Sequence, residues 1–128
     1  MKVCISGSLR FEENIKKVGE VLVANGAECL LPTMGLAQET ITPQIVSSLV
    51  FEHFEKINAA DIVLVVNPGG YFGNSVKTEI GYAKGAGKKV VFLAATGQPE
   101  LDCLADQIIP ENDLSNIGTI LAQNNQKV

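Results

Sequence analysis

One carboxylate, Glu79, follows a glycine-rich turn in the stretch 67–83, NPGGYFGNSVKTEIGYA. A turn of this composition ahead of a helix commonly serves a phosphate, through backbone N–H groups and the positive helix end. An acid beside a phosphate is repelled, so the two are compatible when the acid works on another part of the same ligand. A partly buried carboxylate suits three tasks: hydrogen-bonding a ribose, acting as a general base, or acting as a nucleophile at a sugar anomeric carbon. Glycosidic chemistry fits best, because an oxocarbenium-like centre needs a carboxylate close by while a terminal phosphate is held at a distance. Helical spacing puts Ser75 one turn before Glu79 on the same side. Val76, Ile80 and Ala83 take the core face, which leaves Glu79 at the border of the core. The plainer reading of Glu79 is an acid near a helix start, stabilised by the macrodipole.

A second stretch offers an anion cradle. SGSLR at 6–10 supplies Ser6 and Ser8 as hydroxyls, Gly7 for close backbone approach, Leu9, and Arg10, the sole arginine among ten basic residues. A planar guanidinium fork suits bidentate contact with phosphate or carboxylate. Its plainer reading is a cover for the end of a sheet. In the other loop, Asn67, Gly70, Gly73, Asn74 and Ser75 are the candidate binding residues. That loop has neither the GxxxxGK[ST] lysine nor the GxGxxG spacing, which disfavours Walker-type hydrolysis and dinucleotide binding. His53, the lone histidine, has general acid-base capacity, although a packed or half-exposed histidine is the commoner outcome.

These residues need elements to position them. KVCIS at 2–6 is a short strand ended by Gly7, and residues 12–25 carry Ile15, Val18, Val21 and Leu22 at the spacing of one helix face, with Gly26 closing the helix. AECLL (27–31) reads as a second strand and 32–43 as a loop. A helix from Gln44 to Ala59 turns Val46, Leu49, Val50, Phe54 and Ile57 inward. DIVLVV (61–66) is apolar on both faces, as a central parallel strand must be when helices cover both sides. A third helix ends near Gly85 or Gly87, KKVVFLA (88–94) is a fourth strand, 107–109 a fifth, and 112–125 a last helix.

Such alternation implies right-handed crossovers in an α/β domain spanning 1–128: a three-layer αβα architecture around a five-stranded parallel sheet of flavodoxin-like order 2-1-3-4-5. Ligands bind such sheets outside the carboxyl ends of the strands, where the winding reverses between strands 1 and 3. The loops there are the two already described. Asp61 starts strand 3 at the opposite end and reads as structural.

The bulk properties narrow the class. With 46% hydrophobic residues in 128, the chain is long and apolar enough to bury one core. A formal charge of −4 with no Lys/Arg block argues against nucleic acid as partner. Three cysteines without a CxxC make no metal spacing, so structural roles are expected for Cys4, Cys29 and Cys103, and neither metal nor cofactor is expected. No apolar run approaches the ~20 residues of a bilayer span, and MKVCISG lacks a signal-peptide pattern. The expected location is cytoplasmic, without membrane association.

Taken together, the motifs resemble the nucleoside 2-deoxyribosyltransferase superfamily, including its hydrolase branch that cleaves deoxynucleoside 5′-monophosphates. The resemblance rests on an opening strand ending GSLR, an AD followed by an aliphatic strand, and a glycine-rich turn leading to EIGYA with a Lys-rich strand after it. It implies Glu79 as nucleophile and Ser6 to Arg10 as sugar and 5′-phosphate contacts. Three positions depart from the hydrolase branch. Cys4 stands where a Tyr is usual, His53 where an Asp precedes the AD aspartate by eight residues, and Ser75 where a Gly is expected close to the Glu. PGGY also resembles the PGGxGTxxE signature of the cytokinin-activating phosphoribohydrolases, a family that likewise cleaves the N-glycosidic bond of a nucleoside monophosphate.

The expected activity is hydrolysis or transfer at that bond, with Glu79 and His53 catalytic and a small-molecule nucleotide as ligand. The alternatives are a nucleotide-binding or signalling module without turnover and a flavodoxin-like redox protein; the absence of Trp and scarcity of Tyr disfavour the latter. A sheet of this size offers a shallow crevice, so a homodimer or a dimer of dimers is expected, with Phe51, His53 and Phe54 of the second helix supplying the added surface.

Overall fold

A computed structural model describes residues 1–110 together with Asp113 and Asn116. The expected helix at 112–125 lies outside the described residues apart from those two positions. Five strands form one sheet: β1 (Lys2–Gly7), β2 (Glu28–Leu30), β3 (Ile62–Val66), β4 (Lys89–Phe92) and β5 (Gln107–Ile108). Every pairing is parallel and the order is β2-β1-β3-β4-β5, the expected arrangement. Helices α1 (Glu12–Ala24), α2 (Pro43–Ala59) and α3 (Asn74–Gly85) make the crossovers, and a short α4 (Pro99–Asp102) follows β4.

The helix ends obey local chemistry. Gly26 sits at φ 88°, just past α1, where a residue with a Cβ is strained. Helix α2 begins one residue earlier than the periodicity indicated, because Thr42 accepts from the Ile45 N–H at 3.2 Å and Pro43 occupies the first helical turn. A proline there forfeits no helical hydrogen bond.

Strand alternation sorts the core into two layers. Val3 and Ile5 of β1 join Ile15, Val18 and Leu22 of α1 on one face, with Ile62, Leu64, Val66 and Val91. Cys4 joins Ile57 of α2 and Val76, Ile80 and Ala83 of α3 on the other, with Val63, Val65 and Val90. All five residues of β3 are buried, as a strand covered on both faces requires. The period of two that sends Cys4 to the α2/α3 face sends Ser6 there as well, and that face holds the candidate acid.

Asp61 lies at the far end of the sheet and staples it: the Lys2 N–H donates to its carboxylate at 2.8 Å, and its own N–H donates to the Lys2 carbonyl at 2.8 Å. At the near end Asn67 has a comparable part. Its amide donates to the Ala94 carbonyl at 2.7 Å and its side-chain oxygen accepts from the Ala94 N–H at 3.0 Å, tying the end of β3 to the end of β4. Gly70, at φ 81°, lies so close to the next loop that a Cβ would collide with the Ala95 carbonyl. Both residues therefore shape the second loop from beneath. Asn67→Ala leaves the half-buried Ala94 N–H and carbonyl without their partner and is expected to cost about 2 kcal/mol of unfolding free energy, readable by urea denaturation; an unchanged midpoint would remove this role.

Candidate active site

The two switch-point loops, the segment after β2, one side of α2 from Val46 to Lys56 and the first two turns of α3 enclose a cavity of about 320 Å³. That volume is at the lower end for small-ligand sites. Glu79 and His53 form its floor, Gly7, Ser8 and Leu9 one side, and Gly73, Asn74, Ser75 and Val76 another. Ile41, Val46, Leu49 and Val50 give an apolar wall.

The chemistry converges on one ring nitrogen. His53 Nε2 lies 3.3 Å from Glu79 Oε1, 3.1 Å from Ser6 Oγ and 3.5 Å from Cys4 Sγ. The Cys4 and Ser6 contacts follow from the strand alternation, and Glu79 reaches the same point because Val76, Ile80 and Ala83 anchor the adjacent face of α3 in the core. Nε2 has room for one proton at most in the neutral ring, so it either donates to one oxygen or accepts from one hydroxyl, thiol or protonated carboxyl.

Burial governs the charge state. It pushes the Glu79 carboxyl up to about 7, against the opposing effect of a hydrogen bond from Ser6. It pushes the His53 imidazole down to about 4, helped by the positive charge of Lys56 and opposed by Glu52. The Cys4 thiol is raised to about 12, by burial first and by Glu79 second, with Lys56 opposing. At neutral pH the pocket floor therefore carries a neutral imidazole and a carboxyl balanced between acid and carboxylate, with a buried thiol beneath it. Buried groups of shifted proton affinity in a cleft are the usual mark of a reactive site. Among the described residues no group of three His, Cys, Asp or Glu side chains is arranged to hold a metal ion.

The remaining candidates are distributed around this floor. Gly73 is the N-cap of α3, and neither Asn74 nor Ser75 caps it, for no side chain accepts from the first-turn N–H groups. Gly7 packs so tightly that a Cβ would come within 2.9 Å of the Val66 carbonyl. Asn67 and Gly70 stay beneath the loop, and Arg10 lies outside the cavity wall, its guanidinium carbon 4.2 Å from the centroid of the Tyr71 ring. His53 meets Glu79 of its own chain. Phe54 stacks on Tyr82 of α3 at 4.1 Å between centroids, while Phe51 is exposed. Cys103 is exposed too, and Cys29 is half-buried.

Two wall residues escaped sequence reasoning. Lys56 donates to the Leu31 carbonyl at 2.9 Å and pairs with Glu52 at 3.1 Å. Thr33 donates to the same Glu52 at 2.8 Å, so the segment after β2 is tied down onto α2. The available signal was the helical spacing that places Lys56 three residues after His53 and four after Glu52, on one side of α2.

No family model matches the chain, and no curated protein matches it significantly. Solved structures do match. A 2-deoxyribosyltransferase from Bacillus psychrosaccharolyticus superposes with a TM-score of 0.69 at 17% identity, covering 91% of each chain. The CMP N-glycosidase of Clostridium botulinum gives 0.60 at 18% identity, over 97% of this chain and 99% of that one. The chain shares their fold. A conserved protein from Enterococcus faecalis also matches, at 0.63 and 13% identity, with 97% of this chain and 98% of that one covered. Throughout such three-layer folds the crevice at the winding reversal is the place for a ligand, and here the floor of that crevice is Glu79 beside His53.

Proposed function

We propose that this protein hydrolyses the N-glycosidic bond of a nucleoside or deoxynucleoside 5′-monophosphate, with Glu79 as nucleophile. The observation that carries the reading is the largely buried Glu79 carboxyl, its side chain 13% exposed, on the floor of a cavity sized for a nucleoside, 3.3 Å from a neutral imidazole. The fold shared with a deoxyribosyltransferase and an N-glycosidase supports the same bond chemistry.

In this mechanism the ionised Glu79 attacks the anomeric carbon. The bond from sugar to base breaks with its electron pair going to the base, which departs after taking a proton from solvent, and a glutamyl ester of the sugar remains. Water then attacks the anomeric carbon, and His53 Nε2, kept neutral by burial, accepts the proton of that water. The ester bond breaks with its electrons returning to Glu79, and His53 releases its proton to solvent. Ser6 donates its one hydroxyl proton to the ionised Glu79 and keeps the carboxylate oxygen aimed, while the neutral His53 carries its proton on Nδ1, which leaves Nε2 open to the proton of the water. The apolar wall takes the face of the base, and Ser8, Asn74 and Ser75 surround the polar sugar.

The test is a panel of nucleoside monophosphates assayed for free base, repeated with an excess of a different free base. Sugar phosphate as main product supports hydrolysis. Exchanged nucleotide with little sugar phosphate would make the chain a transferase, and neither product would make it a binding module of the same fold.

The exposed apolar side of α2 belongs to the same proposal. Val46 is 45% exposed and Ile41 38% exposed at the cavity wall, and Phe51, about 140° further round the helix, is 64% exposed. A second copy of the chain covering this side would close the cavity mouth. The expected particle in light scattering is a homodimer or a dimer of dimers, which Phe51→Glu should dissociate; an active monomer of the unmodified chain would show that the pocket closes alone.

A further inference from the structure

The Arg10 guanidinium lies over the face of Tyr71 at 4.2 Å, and Phe11 and Tyr71 form a T-shaped pair, with centroids 5.9 Å apart at 73°. Arg10 and Phe11 belong to the loop after β1, and Tyr71 to the loop after β3. These are the two sides of the cavity mouth, for Leu9 lines one and Gly73 the other. Neither the hydrolysis chemistry nor the core requires Tyr71, which is 40% exposed. An aromatic face attracts a cation through its quadrupole. The guanidinium carries five N–H donors, more than one ring contact can occupy, so donors remain for an anion. A flexible side chain is thereby held with its fork ready for an anion, and less conformational freedom is lost when the anion arrives.

We infer that Tyr71 is a positioning residue that clamps Arg10 across the cavity mouth as the receptor for the 5′-phosphate, so that the Tyr71–Arg10 pair sets the preference for nucleoside monophosphates over nucleosides. This rests on the proposed nucleotide reading of the site. The clamp also spans the crevice, so it fixes the spacing between the two loops that hold Ser8 and Asn74.

The experiment measures, by calorimetric titration, the ratio of affinities for the four deoxynucleoside 5′-monophosphates and for their nucleosides. Five proteins are compared: wild type, Tyr71→Leu, Tyr71→Phe, Arg10→Ala and the Arg10→Ala/Tyr71→Leu double variant. Tyr71→Leu should lower the ratio about two- to fivefold, the scale of an exposed cation–π contact. Tyr71→Phe keeps the ring and should keep the ratio. Arg10→Ala should lower it about tenfold or more, and adding Tyr71→Leu to Arg10→Ala should lower it no further. A Tyr71→Leu loss that persists in the Arg10→Ala background, or equal losses for monophosphate and nucleoside, overturns the clamp. Should Tyr71→Leu not fold, the Tyr71→Phe and Arg10→Ala arms decide: a phosphate preference that survives Arg10→Ala overturns the proposal. Titration reads the clamp independently of turnover. A wild type that binds monophosphates with this pattern yet releases no base supports the clamp and overturns the hydrolase reading, whereas one that releases base without phosphate preference does the reverse.

Discussion

Glu79→Gln is expected to slow the release of free base from a nucleoside 5′-monophosphate by about a thousandfold or more while the chain stays folded. The amide matches the carboxylate in size, and the neighbouring core positions Val76, Ile80 and Ala83 are untouched, so packing does not change. What disappears is the electron pair that forms the glycosyl ester and the negative charge that stabilises the developing cation. The wild-type kcat/KM should also rise with pH through about 7, since burial holds the carboxyl protonated below that point and only the ionised form attacks. The measurements are single-turnover base release and circular dichroism on the same preparation. Retained activity in a folded Glu79→Gln protein would remove Glu79 as nucleophile and leave it a buried structural acid.

The second expectation concerns stability. Glu79 has a folded-state value near 7 against 4.5 for the free group, so the folded chain holds the proton more tightly than the unfolded one. The resulting stabilisation is fully present below pH 4.5, falls as pH rises from 4.5 to 7, and is absent above 7, where a charge must be kept buried. The difference is on the order of 3 kcal/mol. His53 has the opposite slope: its folded-state value near 4 lies under the ordinary 6.5, so its contribution is complete above pH 6.5 and declines as pH falls towards 4. In the wild type the two slopes largely offset one another between pH 4.5 and 6.5. Comparison with Glu79→Gln removes one of them. The unfolding free energy of the variant should therefore gain on that of the wild type across pH 4.5 to 7 and hold its advantage above. A difference that stays level with pH would show that Glu79 titrates normally and is better hydrated than its burial implies.

Much of this architecture is written in local periodicity. Alternating strands and helices, the all-apolar IVLVV of β3 and the sorting of Val3 and Ile5 from Cys4 onto opposite faces follow from residue spacing along short segments. The crossover rule makes the sheet parallel with helices on both faces, and the order and the crevice at its reversal come from the flavodoxin-like arrangement that such alternation commonly takes. Glu79 was legible for the same reason, as an acid next to core positions on a helix entered through glycines.

Side-chain partners were not legible, because they depend on contacts far apart in sequence. Ser6 and His53 are 47 positions apart, and their meeting depends on how α2 packs across β1. Sequence spacing placed His53 at the edge of an apolar face; packing turned it inward to Glu79 of its own chain and left Val46 and Phe51 exposed. Asn67 looked like a ligand contact among turn residues, yet the close approach of the loop after β4 commits both ends of its side chain to Ala94. Arg10 could be assigned to an anion by its chemistry alone, but only the tertiary structure reveals the ring that holds it. Periodicity sets which face a residue occupies; the relative placement of elements, a property of the whole packed chain, decides what that face meets.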